Sequence, residues 1–191
     1  MTTIVTILTN GYADWETALL NAGARQYYGI KTLFATPDGG PVVSAGGLKV
    51  TPDLSVADID IAGTDALVVN GGTAWSQPDA PDVSAVLVAA KNAGKTVAGI
   101  CDGTLALARA GLLDDVAHTS NSTENLTPTH YAGARHYRDQ PSAVVDGRIV
   151  TAPGTAPVSF MGGVLETLGL RDENLDFYLR LHANEHKQDV A

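Results

Sequence analysis

Val97-Ala98-Gly99-Ile100-Cys101-Asp102-Gly103-Thr104-Leu105-Ala106-Leu107-Ala108 joins two opposite patterns with almost nothing between them. An apolar run with β-branched Val97 and Ile100 stops at Cys101, and a helix-forming run starts at once after Gly103. The reading is strand, sharp turn, helix. A side chain on such an elbow is lifted clear of the sheet, and the first turn of the following helix presents free N–H groups and a positive dipole end that favour a thiolate. Cys101 is the one cysteine of the chain. A lone cysteine is commonly a small buried hydrophobe, but this one stands at the C-terminal end of a strand, where open α/β sheets bind ligands. It is the candidate nucleophile.

Upstream, Ile4–Leu8 and Ala66–Asn70 are continuous apolar runs of the kind that suit strands covered on both faces. Ile30–Thr36 is a further strand, ended by Pro37-Asp38-Gly39-Gly40. Between the first two strands Asp14–Tyr28 has helical spacing, with Asp14 as N-cap and Gly29 as stop. Pro81–Asn92 reads as a helix closed by Gly94, and Pro41–Val50 as a small hairpin excursion. Downstream, Val116–Ser120 is a short strand, Asn121–His136 has no assignable period, and Ala143–Thr151 is a hairpin about Asp146-Gly147. Helices over Val158–Leu168 and Leu175–His186 close the chain. Strands alternating with helices give an α/β, doubly wound and mainly parallel sheet with helices on both faces.

Bulk properties narrow the function. A length of 191 residues suits one well-buried domain spanning residues 1–191. The net charge of −9, with only 12 scattered Lys and Arg, repels nucleic acid, so none is expected as a partner. No apolar run approaches the roughly 20 residues that cross a bilayer, so no membrane association is expected. The start, Met1-Thr2-Thr3-Ile4, lacks a basic region, and one cysteine forms no internal disulfide. Both point to the cytoplasm.

In a doubly wound sheet the C-terminal strand ends share one crevice. Three loops meet there: Asn10–Glu16, Asn70–Thr73 and Cys101–Thr104. Glu16, in the first turn of its helix, can point at Cys101 across a strand spacing of roughly 4.8 Å. An N–H of the Gly71-Gly72 turn, together with that of Asp102, would form an oxyanion hole for a tetrahedral adduct on sulfur. His182 and His186 sit at i, i+4 around Glu185, but a solvated helix face explains them better than zinc. Neither metal nor cofactor is expected.

Four motifs carry a family resemblance. The elbow Gly99–Ala108 followed by Ala110-Gly111-Leu112-Leu113 resembles the nucleophile elbow of the ThiJ/PfpI superfamily, whose sheet is flavodoxin-like and class I glutamine amidotransferase-like. Ala13-Asp14-Trp15-Glu16 resembles its acid-bearing first helix, Val69-Asn70-Gly71-Gly72 its oxyanion turn, and Val145–Ala152 its late hairpin. The resemblance implies that Cys101 is a low-pKa nucleophile, that Glu16 shares a proton with its sulfur, and that Gly71 or Gly72, with Asp102 and Gly103, receives the substrate's oxyanion. It implies a homodimer and a small-molecule substrate: a reactive aldehyde in a glyoxalase or deglycase reaction, or an amide-like compound in a hydrolysis. A charged carboxyl would raise the thiol's pKa, so Glu16 must be protonated for a thiolate to form. Asp102 occupies the place of the histidine that follows the cysteine in PfpI proteases, which counts against a peptidase. Thr151–Thr155 replaces the His-x-Glu pair of the glutamine amidotransferases, which counts against a glutaminase. A deglycase-type histidine falls at Thr119, with His118 beside it as the candidate base, although strand alternation turns neighbours to opposite faces. His130 and His136 could also reach the pocket as the base, although a surface position is the better reading of each. The alternative to an enzyme is a redox-sensing stress protein in which Cys101 is oxidised to a sulfinic acid.

Overall fold

The computed structural model describes residues 1–184. In chain order its elements are β1 (Thr3–Ile7), α1 (Asp14–Tyr28), β2 (Lys31–Thr36), the short strands β3 (Val42–Val43), β4 (Lys49–Val50) and β5 (Leu54–Ser55), β6 (Ala66–Val69), α2 (Ser84–Asn92) and β7 (Thr96–Ile100). They continue with α3 (Gly103–Arg109), α4 (Thr123–Leu126), β8 (Val144–Asp146), β9 (Ile149–Ala152), α5 (Pro157–Thr167) and α6 (Glu173–Ala183).

Every residue of β1, β6, β7 and β9 is buried, because helices cover both faces of the sheet. Strand alternation divides the apolar side chains between two layers. Val5, Ile7, Leu67, Val69 and Val97 pack with Leu87 of α2 and Leu105 and Leu107 of α3. Ile4, Val68, Ala98, Ile100 and Val150 pack with Leu20 of α1, Phe160 and Val164 of α5 and Leu175 of α6. Each such burial contributes about 1.5–3 kcal/mol. Exposed ion pairs such as Arg135–Asp115 (3.3 Å) contribute at most ~1 kcal/mol, so the apolar layers hold the frame.

The main sheet has seven strands in the order β5-β2-β1-β6-β7-β9-β8, all parallel except β8, which pairs antiparallel with β9; the turn between them is Gly147-Arg148 rather than the expected Asp146-Gly147, since Asp146 still belongs to the ladder and pairs with Ile149. This is the doubly wound α/β architecture. From β1 the chain passes to β2 on one side and later to β6 on the other, so the crevice opens at the C-terminal ends of β1 and β6, with β7 next to them. Beside it, β3 and β4 form a separate antiparallel pair.

Several expected boundaries differ. Val116–Ser120 is not a strand: it makes a single bridge, His118 to Tyr137, and its backbone is served by side chains, as where Thr119 N donates to Thr151 Oγ1 at 2.9 Å. Pro81–Val83 lies outside α2, which begins at Ser84 after Ser84 N bonds Asp82 Oδ1 (2.9 Å). Asp14 does not cap α1. Ala13 is the N-cap residue, and Asp14 Oδ2 instead accepts Gly46 N (2.8 Å), fastening the β3–β4 hairpin over the helix start. A hydrogen bond with Ser44, helped by the one from Gly46 N–H, holds the Asp14 carboxyl below its ordinary range. In α6 the cap is Asp172, which accepts Leu175 N at 2.8 Å; Glu185 and His186 lie outside the described residues. Among those described, no helix is long and apolar enough to cross a membrane.

Candidate active site

The elbow is built by close approach. Cys101 N donates to Ala152 O (2.9 Å), extending the β7–β9 ladder by one rung, and the chain then turns with Cys101 itself in the left-handed region, φ +57°. Such a φ is strained for a residue with a side chain and is typical of functional turns. Helix α3 starts two residues later because Gly103 lies directly on Val69 O, where any Cβ would collide. The turn is locked from the far side: Thr104 Oγ1 bonds Cys101 O (2.6 Å) and Ser120 Oγ (2.7 Å).

Glu16 arrives from α1 across the end of β6 and is 1% exposed. Its Oε2 accepts Gly71 N at 2.8 Å. Among the described residues its Oε1 has no nitrogen or oxygen partner, and it faces the Cys101 sulfur: a Cβ added at Gly154 would lie 2.9 Å from both atoms. A Cβ at Gly71 would collide with Glu16 Oε2 and come within 2.6 Å of Cys101 Cβ. Two glycines therefore make the space in which the acid and the thiol meet. Asn70 fixes this turn against α1, since its Nδ2 donates to Ala13 O (3.0 Å) and Gly71 O (2.8 Å) while Oδ1 accepts Thr17 Oγ1 (2.6 Å).

Asn121 completes the site, and nothing in the residue pattern marked it. Its Nδ2 donates to Cys101 Sγ (3.2 Å) and Asp102 Oδ1 (3.1 Å), and its Oδ1 accepts Gly154 N (2.9 Å). One side-chain amide thus ties the elbow to the loop after β9. Trp15 Nε1 closes the same loop from α1 by donating to Gly154 O at 3.3 Å.

Burial pushes the Glu16 carboxyl up to about 7, although its hydrogen bonds with Cys101 and Gly71 N–H pull the other way. Burial also pushes the Cys101 thiol up to about 12; Asn121 and the Asp102 N–H oppose this, and the negative charge of Glu16 adds to it. Interacting sites titrate as a pair. Between the two values the pair carries one proton and one negative charge. With that proton on Glu16 the thiolate loses its like-charged neighbour and faces the Glu16 hydroxyl, Asn121 Nδ2 and the Asp102 N–H.

The other expected residues are placed as follows. Gly71 N–H is taken by Glu16, so it is no oxyanion donor; Gly72 N–H has no partner among the described hydrogen bonds. Gly103 serves the close approach of α3 to β6. His118 is not brought to the sulfur. It is fully buried, Nδ1 pairs with Val116 O (2.8 Å), Nε2 pairs with Tyr131 Oη (3.3 Å), and the ring lies edge-on to Tyr131 and Tyr137. Burial lowers its pKa and keeps it neutral. His136 Nε2 accepts Arg135 Nε (2.9 Å), and His130 ends a 3₁₀ turn in the left-handed conformation. No described histidine hydrogen-bonds the sulfur, and no three described His, Cys, Asp or Glu side chains converge as a metal site requires.

Comparison with known proteins identifies the fold and the family. A DJ-1 superfamily protein from Agrobacterium tumefaciens of known structure is 46% identical, with a TM-score of 0.95 over 98% of this chain and 100% of that one. The uncharacterized protease YoaZ of Bacillus subtilis is 32% identical over 82% of this chain and 78% of its own length. The glutathione-independent glyoxalase DJR-1.2 of Caenorhabditis elegans is 27% identical over 73% and 74%. The transcriptional regulator GbdR of Pseudomonas aeruginosa matches at 30% identity over 36% of its length, so the same unit also occurs inside regulators. The DJ-1/PfpI family model matches residues 2–167, and the chain belongs to that family.

Proposed function

We propose that the protein is a cysteine-dependent enzyme that converts a 2-oxoaldehyde and water into a 2-hydroxy acid, with Cys101 as nucleophile and Glu16 as proton carrier. The observation that carries this reading is the buried Glu16 carboxyl, at about 7, set against the one thiol with no histidine bonded to it. An amide hydrolase needs an acid for a poor amine leaving group, usually a histidine. Addition to an aldehyde expels no group, so a single carboxyl suffices.

The Cys101 thiolate adds to the aldehyde carbon, and protonated Glu16 gives its proton to the forming alkoxide. The resulting Glu16 carboxylate takes the hydrogen from that carbon as a proton and returns it to the neighbouring carbonyl carbon, while the hydroxyl proton on the first carbon passes to the neighbouring oxygen, leaving a thioester of the 2-hydroxy acid. Water adds to the thioester carbon, its proton goes to Glu16, and the thiolate leaves. The enzyme ends as it began. The Asp102 N–H and the unpartnered Gly72 N–H are the donors for the transient oxyanions. The glyoxalase name of the nematode relative supports this choice over the protease name of the bacterial one, because Asp102 stands where PfpI-type peptidases carry histidine. The test is conversion of methylglyoxal to lactate by the protein and by Cys101→Ala. Turnover that is absent, or that survives in Cys101→Ala, would overturn the reading.

One observation favours a second reading. Three donors surround the sulfur, namely Glu16, Asn121 Nδ2 and the Asp102 N–H, and they would equally hold the oxygens of a sulfinate formed by two equivalents of peroxide. Intact mass after mild peroxide distinguishes this: two oxygens confined to Cys101 support sensing, and oxidation spread over Met1 and Met161 counts against it.

A further inference from the structure

Trp15 immediately precedes Glu16, yet its indole is 57% exposed, an unusual place for so large an apolar surface. It is not loose, because its Nε1 donates to Gly154 O at 3.3 Å. With Leu19, Gly154, Pro157, Val158 and His182 it walls an open cleft of about 360 Å³, and among the lining residues none is Lys, Arg, Asp or Glu. That volume lies within the roughly 300–1,000 Å³ of small-molecule sites.

Gly154 links this cleft to the chemistry. It is both a wall of the cleft and a residue packed so closely on the site that a Cβ there would lie 2.9 Å from Cys101 Sγ and from Glu16 Oε1. Gly154 is therefore the residue common to the surroundings of the sulfur and to the cleft beside the indole. Aromatic faces gain most from other aromatic or apolar planar groups.

We propose that the Trp15 cleft is the subsite for the substrate's substituent and selects 2-oxoaldehydes carrying an aromatic group over those carrying a methyl group. This rests on the reading of Cys101 as an aldehyde nucleophile, and the experiment has two arms so that the two claims fail separately.

In the first arm, kcat/KM is measured with phenylglyoxal and methylglyoxal. The expected ratio favours phenylglyoxal by about tenfold, falls by at least about fivefold in Trp15→Ala, and is largely kept in Trp15→Phe. A ratio near one in the unaltered protein, or one unmoved in Trp15→Ala, overturns the proposal. In the second arm Cys101→Ala is labelled with 5-fluorotryptophan and titrated with acetophenone, an aryl ketone that cannot turn over. The protein has two tryptophans, and Trp75 is fully buried, so the two ¹⁹F signals are told apart by exposure. A saturable shift confined to the Trp15 signal supports the subsite even where no aldehyde is turned over, which would sink only the reaction. No shift of that signal overturns the subsite.

Discussion

Replacing Glu16 by glutamine removes one ionisation while keeping the side chain's length and an acceptor for the Gly71 N–H. The carboxyl goes from an ordinary 4.5 to about 7 in the fold. At about 1.4 kcal/mol per tenfold change in the ionisation constant, ionising it in the folded protein costs about 3 kcal/mol more than ionising it in the unfolded chain. The folded value lies above the unfolded one, so the native state holds the extra proton. The contribution is complete below pH 4.5 and is lost as the pH rises through about 7. The assay is urea denaturation of the protein and of Glu16→Gln between about pH 5 and pH 8.5, followed by the emission of buried Trp75. Stability of the unaltered protein should fall over that range by about 2.5 kcal/mol more than that of Glu16→Gln. The two curves should therefore diverge with rising pH in favour of the variant. A difference between them that stays constant with pH would refute the claim that Glu16 is held as a neutral acid.

In methylglyoxal turnover Glu16→Gln should lose about 10²–10⁴-fold in kcat, because glutamine accepts no proton. Asn121→Ala should move the alkylation profile of Cys101 with iodoacetamide to higher pH, since it deletes a donor to the sulfur that lowers the thiol's pKa. Gly71→Ala should lower the urea midpoint and abolish turnover together, its Cβ colliding with Glu16 and Cys101. His118→Gln should keep turnover within less than about 10²-fold, the least that loss of a general base costs. It should also flatten the acid side of the stability curve: the folded pKa of His118 is depressed, so its contribution is present above about 6.5 and lost as pH falls through the lower folded value.

The frame was legible because its signals are local. Four apolar runs, most of them separated by helical spacing, point to a parallel sheet, and the elbow follows from β7 ending where α3 begins. Glu16 and Gly71 were legible as neighbours of Cys101 once strand ends share an edge. What stayed hidden depends on contacts between distant segments. The stretch Val116–Ser120 has a strand's composition, but Thr151 Oγ1 and the Tyr137 bridge take its backbone, so no ladder forms. Asn121 reaches Gly154 across 33 residues of sequence, and no periodicity announces a side-chain amide of that kind. His118 had the composition of a base, but Val116 O and Tyr131 claim both of its nitrogens.

The division between main-chain and side-chain groups around the sulfur has a consequence for how the site can change. The Gly71, Gly72 and Asp102 N–H groups belong to the backbone, so no point substitution other than proline deletes them. Only Glu16, Cys101 and Asn121 contribute exchangeable side chains, each from a different segment. Three codons therefore set the side chains that touch the sulfur, while the seven-stranded sheet keeps its shape. A lineage can exchange an acid, a thiol or an amide here without rebuilding the protein.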